Sequence, residues 1–354
     1  MGFKQSHFVA RLITLLPICI AANVHAEQLF TDDNNYCQNQ RTLKSQDNNL
    51  RRQLDADNPL PDAANNRKIV SIELEQLNVF NTELEEENNF LFRFANRAHM
   101  TTEPEVIHSV LLFQEGDVYN PRKLLESERL LRKQGYLYDA RINAKLDCDG
   151  NVHVKVITRD LWTLLPEISF SRSGGKNESS IGFRESNFLG WGKRVSFSRT
   201  RDADRTGYLF VYDDPHIFSS RYQGRLEYSD NDDGKRHYLD VSYPFFSIDT
   251  PYSYGVTSYS DQRRESLYYR GDIVSEFEQK TLLNRAYFGH SSQLGNSWTQ
   301  RIKLGIENRE ETFKETPFTR FPIAEDRTLS YPYVSGQWFE DHYVKVRNFD
   351  SIYR

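Results

Sequence analysis

From Trp162 onward the chain repeats one pattern: segments of roughly ten residues in which apolar and polar side chains alternate, separated by Gly, Asp, Asn and Ser. Val195 and Phe197 alternate with Arg194, Ser196 and Ser198; Leu226 and Tyr228 with Arg225 and Glu227. Leu239, Val241 and Tyr243 alternate with Tyr238, Asp240 and Ser242; Ile302, Leu304 and Ile306 with Arg301, Lys303 and Glu307. A period of two belongs to strands whose two faces meet different surroundings. After the N-terminal thirty residues no apolar run approaches the ~18 residues a membrane helix needs, so a helical membrane protein is excluded. Only 38% of the 354 residues are hydrophobic, which is low for one large soluble core, while 20 Tyr and 23 Phe stand against 2 Met. A soluble sandwich would also alternate. Charged and hydroxyl side chains opposite Leu, Val, Ile and Tyr, with aromatics near segment ends, favour a β-barrel with a polar lumen and a lipid-facing band. The net charge of −5 and the lack of Lys/Arg blocks argue against nucleic acid as the main partner.

The N-terminus reads as an export signal over residues 1–26. Lys4 and Arg11 supply positive charge, a short apolar core follows, and Val24-His-Ala26 offers a small-residue cleavage pattern. Cleavage would remove Cys19 and leave Cys37 and Cys148, for which an oxidising compartment permits a disulfide. Residues 27–67 are rich in Asn, Asp and Gln, without apolar periodicity, and read as a polar linker.

Residues 68–160 differ in character. Val70, Ile72 and Leu74 alternate with Ser71, Glu73 and Glu75, predicting a half-buried strand. Residues 81–97, with Leu84, Phe90, Leu91 and Phe94 among acidic residues, predict a helix. Thr102-Glu-Pro-Glu105 has capping-box spacing, and Val106, Ile107, Val110 and Leu111 then share a face. Gly116-Asp117 breaks that helix, and Asn120-Pro121 opens the next as cap and first-turn proline. Leu124, Leu125 and Leu131 are expected to face inward, and Gly135 to supply a left-handed stop. Ala140, Ile142, Ala144 and Leu146, the Asp149-Gly150 turn, and Val152, Val154 and Val156 predict a hairpin. The whole is a small α+β module.

In order and in residues this module resembles a POTRA (polypeptide-transport-associated) domain. Val106-Ile-His-Ser-Val-Leu-Leu-Phe113, Gly116-Asp-Val-Tyr119, Leu125-Glu-Ser-Glu-Arg-Leu-Leu-Arg132, Gly135-Tyr-Leu-Tyr-Asp-Ala140 and the valine hairpin carry the likeness. The helix ahead of Thr102 departs from it. Gly182-Phe-Arg-Glu-Ser-Asn-Phe-Leu-Gly-Trp-Gly-Lys193 followed by Asp213-Asp-Pro215 resembles the barrel opening of the BamA/TamA outer-membrane superfamily. Arg159-Asp-Leu-Trp-Thr-Leu-Leu-Pro166 and Phe170-Ser-Arg-Ser-Gly-Gly175 resemble its link into the first strand. The resemblance implies a periplasmic POTRA-like domain at 68–160 and an antiparallel transmembrane β-barrel of the bacterial outer membrane at 161–354. Residues 168–354 hold roughly ten to twelve candidate strands, fewer than that superfamily's barrels, so the barrel is expected to be incomplete in this sequence.

Expected partners are outer-membrane lipid, unfolded or extended client polypeptides, and other assembly or translocation factors. The expected role is assembly, insertion or translocation of proteins; a two-partner-type secretion pore and a passive porin-like barrel are the alternatives. Client strands would add to a free sheet edge, for which the second hairpin strand is the candidate: Asn151, Val152, His153, Val154, Lys155, Val156, Ile157 and Thr158. The chemistry of an enzyme is not expected. There is no GxSxG elbow, HExxH, Walker loop or dinucleotide fingerprint, and no Cys/His cluster with metal spacing. No cofactor or metal is therefore expected. Glu85-Glu-Glu87 and Asp232-Asp233 read as solvated charges, and Tyr269-Arg-Gly-Asp272 takes no loop role from the superfamily.

Overall fold

The computed structural model describes residues 66–173, 176–202, 205–294, 298–340, 343–346 and 349–352. The expected signal, most of the linker and Cys37 lie outside them. All described residues fall in one compact unit, residues 49–354. No helix among them is long and apolar enough to cross a membrane, which says nothing of strands.

The first part is a three-stranded sheet covered by helices. β1 (Ile69–Leu77) leads through a single 3-10 turn (Glu85–Glu87) to α1 (Phe90–Ala98), α2 (Pro104–Val110) and α3 (Pro121–Arg132). The hairpin β2 (Leu137–Leu146) and β3 (Val152–Asp160) follows. The strand order is β1-β3-β2, with β1 parallel and β2 antiparallel to β3. Ile107, Val110, Leu124 and Leu131 of the helices meet Ile142, Val152, Val154 and Val156 of the sheet in one apolar core. Fully burying each such side chain contributes about 1.5–3 kcal/mol. Gly150 turns the hairpin at φ 78°.

Four local expectations are corrected. The register of β1 slips between Ile69 and Ser71, so Val70 is a bulged residue and faces out while Ile69 takes the core position. The helix expected over residues 81–97 is split, because the Asn89 side chain accepts from the Phe92 amide and starts a new helix there. Leu125 is exposed, one position round α3 from buried Leu124. Finally, α3 ends with Lys133 in right-handed geometry, and Gly135 is not a left-handed stop.

The second part is a ten-stranded antiparallel meander. It comprises β4 (Leu165–Ser173), β5 (Lys176–Glu185), β6 (Arg194–Arg201), β7 (Thr206–Asp214) and β8 (Gln223–Asn231). β9 (Gly234–Tyr243), β10 (Tyr252–Tyr269), β11 (Asp272–Leu294), β12 (Trp298–Glu315) and β13 (Arg327–Glu340) complete it. Each strand bonds only to its sequence neighbours, so β4 and β13 are the edges among the described residues. A short hairpin, β14 (Tyr343–Val346) and β15 (Phe349–Ile352), forms its own pair. Tyr269-Arg-Gly-Asp272 is the β10–β11 turn, with Arg270 and Gly271 both at positive φ, the backbone of a tight hairpin.

Burial in this sheet is inverted relative to a soluble protein. Ser242, Ser253, Asp261, Thr299, Glu307 and Glu311 are buried, whereas Leu304, Ile306 and Val334 are 57%, 58% and 72% exposed. The pair register puts the two sets on opposite faces. All four alternating segments singled out in the sequence turn their apolar residues to the exposed face. An apolar band on the outside and polar groups within is the membrane-barrel arrangement, here as a partial barrel. The rings of Tyr222, Tyr243 and Tyr254 pack together on this outer face, with the Tyr222 and Tyr254 hydroxyl oxygens 2.6 Å apart.

Candidate functional site

The expected client edge is not an edge. Residues 152–158 belong to β3, the central strand, bonded to β1 on one side and β2 on the other; Asn151 belongs to the turn before it, where its amide donates to Asp147 at 2.7 Å. The reason is the helical crossover, which returns β1 parallel to the second strand of the hairpin rather than to the first. One signal was present: Val156, Ile157 and Thr158 are buried in succession, as in strands covered on both faces.

The real edges, β1 and β2, are blunted at one end each. The Ile72 amide of β1 donates to the Glu115 carboxylate at 3.0 Å, and the Gly116 amide donates to the Ile69 carbonyl at 2.8 Å. On β2, the Ile142 amide donates to Glu128 at 2.8 Å and Arg132 donates to the Ala140 carbonyl at 3.1 Å. Glu128 in turn pairs with Arg132 and Arg141, and Arg132 with Asp139, so α3 lays an ion network along this strand. Side chains that occupy edge amides and carbonyls suppress casual strand addition. At the hairpin tip, slight burial of Asp147 is outweighed by hydrogen bonds from His153, Asn151 and the Asp149 amide, which hold its carboxyl at about 2. Lys155 is raised by its hydrogen bond to Glu75 across β3 and β1. Cys148, beside that tip, is disulfide-bonded, while the Cys37 half of the expected pair lies outside the described residues.

Where module meets sheet, the contacts are dense and polar. Asp160, at the end of β3, accepts from the Thr102 amide at 2.8 Å and the Thr102 hydroxyl at 3.0 Å, and lies 2.9 Å from His99 Nε2. The expected capping box is thereby undone: Glu103 becomes the N-cap of α2 without a side-chain bond, because Thr102 is drawn to Asp160. Thr102 Oγ1 also accepts from Asn187 Nδ2 at 2.9 Å, linking the module to the turn between β5 and β6. The Glu103 amide donates to the Gly190 carbonyl at 2.8 Å, and Trp191 Nε1 donates to the Glu103 carboxylate at 3.0 Å. A Cβ on Gly190 would sit 2.4 Å from the Thr101 carbonyl oxygen, so the close approach itself demands glycine.

Two further turns on the same rim repeat the docking. Arg221, in the β7–β8 turn, donates to the Leu111 carbonyl at the end of α2. The Ile248 amide, in the β9–β10 turn, donates to Glu126 of α3 at 3.2 Å. In the β7–β8 turn, burial lowers the His216 pKa from its ordinary value.

The buried face of the sheet carries an unbroken transverse row. Arg194, Asp213, Arg225, Asp240, Thr257, Arg285, Glu307 and Tyr331 stand side by side across β6 to β13. Asp213 is bound by Arg194 Nε at 2.7 Å and by Arg225 Nη1 at 3.2 Å. Thr257 donates to Asp240 at 2.7 Å, Arg285 Nε donates to Glu307 at 2.8 Å, and Tyr331 also donates to Glu307. Such part-exposed pairs contribute about 0–1 kcal/mol each, so their main effect is to line the wall with alternating charge. An open cavity of about 350 Å³ lies at the row's module-side end, walled by Gln134, Gly135 and Tyr136 and by Arg194, Asp213, Arg225 and Asp240.

Residues 93–159 match the family model of POTRA, surface antigen variable number repeat. This stretch of the chain therefore resembles a POTRA domain. Among solved structures, it aligns with BamA from Haemophilus ducreyi lacking POTRA domains 1-3 at 12% identity and a TM-score of 0.34, over 72% of this chain and 57% of that one. It aligns with CdiB from Acinetobacter baumannii at 14% identity and a TM-score of 0.41, over 80% of this chain and 56% of that one. The chain thus spans little more than half the length of these structures. No curated protein matches it. The POTRA match starts inside α1 and stops just short of Asp160, so the first turn of α1 and the joint residues Asp160 and Asn187 lie beyond it. Among the described residues no group of His, Cys, Asp and Glu is placed to hold a metal ion.

Proposed function

We propose that the protein acts without enzymatic chemistry in the assembly or translocation of polypeptides at the bacterial outer membrane, its POTRA module in the periplasm. The observation that carries this reading is the course of the chain from module to sheet. A POTRA module is fixed against the rim of a polar-lined, lipid-faced sheet, and β4, an edge strand, begins five residues after Asp160. An extended client segment would gain main-chain hydrogen bonds along β4 with little demand on its sequence, beside a wall of alternating charge that does not favour one sign. The module's blunted β1 and β2 edges take a secondary part.

The test is reconstitution in phospholipid vesicles, with an unfolded outer-membrane barrel protein diluted from urea. The reading expects faster appearance of the client's heat-modifiable folded band. Ser169→Pro and Phe170→Pro remove amides pointing to opposite sides of β4; one of them is expected to abolish the acceleration while the protein keeps its own heat-modifiable mobility. No acceleration by the unmodified protein, with steady single-channel conductance, would establish a passive pore instead. Acceleration confined to one dedicated secreted partner would favour the two-partner alternative.

A further inference from the structure

Helix α1 is built the wrong way round for a water-exposed element. None of its residues is buried, and its apolar side chains point away from the protein: Phe90 is 73% exposed, Leu91 69% and Phe94 58%. The opposite face holds it in place, where Phe92 stacks on Phe80 with ring centroids 4.0 Å apart and Asn96 bonds both backbone groups of Phe80. The outward face is flanked by Arg93 and Arg97, and the helix contains no acidic residue. A nine-residue helix is marginal in water on its own. An apolar stripe of Phe and Leu bordered by arginine is the pattern of a helix lying at a bilayer surface.

Its position says which surface. Glu87, just before α1, lies 3.1 Å from Arg159, and His99, just after it, lies 2.9 Å from Asp160. Both ends of the helix are therefore fixed to the last two residues of β3, where the chain leaves the module for the sheet. Immediately beyond, Leu161 and Leu164 are exposed, and Ile168 and Phe170 of β4 are exposed on the lipid-facing side of the sheet. The exposed face of α1 thus belongs to a helix anchored at the point where the chain enters the strand that starts the apolar band.

We propose that α1 lies in the plane of the phospholipid surface on the module's side of the membrane. Phe90, Leu91 and Phe94 sit among the acyl chains, and Arg93 and Arg97 lie at the phosphate level, with a preference for anionic lipid. The proposal rests on the membrane reading of the sheet given above.

The test uses the full chain in vesicles of phosphatidylcholine and phosphatidylglycerol, with or without acyl-chain bromine as a tryptophan quencher. Phe94→Trp adds a reporter on the outward face, Glu86→Trp adds one on the neighbouring 3-10 turn, and native Trp338 on the lipid-facing side of β13 reports insertion. The expected result is bromine quenching of the Phe94→Trp emission about threefold or more above that of Glu86→Trp, as an interfacial depth of about 5–10 Å requires. That excess is expected to shrink in pure phosphatidylcholine. Native tryptophan quenched while Phe94→Trp stays unquenched would overturn the proposal and leave the membrane reading standing. No quenching anywhere, with no heat-modifiable band, would overturn both. A blue-shifted Phe94→Trp signal that bromine does not touch and dilution removes would show that a second copy covers the helix, again overturning the proposal. In the unmodified chain, amide exchange across residues 92–98 is expected to be slower with phosphatidylglycerol present than without it; equal rates would count against the proposal even where the tryptophan variants fail to fold.

Discussion

The module and the sheet use the same alternating code and solve opposite problems with it. In the module, Val152, Val154 and Val156 of β3 are at most 1% exposed and close an apolar core beneath the helices. In the sheet, Ser253 and Thr299 are just as buried, and Leu304 and Ile306 face out. The hydrophobic effect requires apolar groups to leave water, and nothing in that requirement says they must go to the centre. A strand alternates wherever two media meet across it; which face is wet follows from what surrounds the whole sheet.

Truncation in the module core should have the largest effect. Leu124→Ala is expected to destabilise the module by about 2–5 kcal/mol, seen as an earlier urea transition in its fragmentation by protease. The same truncation at Leu304 should leave the protein's stability in detergent within about 0.5 kcal/mol, with any loss confined to lipid bilayers. Equal loss at both sites would break the comparison and argue for an apolar partner layer on the sheet.

The joint between the two regions comes next. Asp160→Ala leaves the Thr102 amide and the His99 ring without their acceptor, at about 1–3 kcal/mol for each group orphaned. Hydrogen exchange should show faster opening at residues 99–103 and 187–192 while the core of the module stays protected. In the lumen wall, Glu307→Gln should cost no more than about 1 kcal/mol, because Arg285 keeps contact with water. Its effect should instead appear as a change in ion selectivity of the reconstituted protein.

The smallest expected effect is at the hairpin tip. Its carboxyl is held at about 2 in the folded chain, so Asp147 stabilises the fold fully above its unfolded value of ~3.9, and the contribution disappears as pH falls from there through the folded value. A chemical-shift titration of Asp147 should show its midpoint well below the unfolded value of ~3.9, and Asp147→Asn should flatten the acid limb of stability.

Much of the architecture was legible in residue order. The period of two in β6, β8, β9 and β12 named the strands and their outward faces, and Asn120-Pro121 set the start of α3, where Asn120 does cap the Arg122 amide at 3.0 Å. What could not be read was pairing at a distance. Apart from the adjacent apolar residues Val156 and Ile157, nothing near Val154 distinguishes a central strand from an edge one; that depends on β1 pairing in parallel from across the helices. The charged row is equally invisible along the chain, since its neighbours are brought together only by strand register. Thr102 misled because a local cap and a distant carboxylate competed for it, and the buried carboxylate, at 1% exposure, had more to lose from being unpaired.

The contact of Gly190 with Thr101 also has a mechanical meaning. Three successive turns of the sheet grip α2 and α3, and a backbone approach that excludes even a methyl group leaves no slack for rotation. A load applied to the module would therefore not be absorbed at a hinge. It would pass as torque into the hairpins bearing those turns, beside which β4 is bonded to a neighbour on one side only.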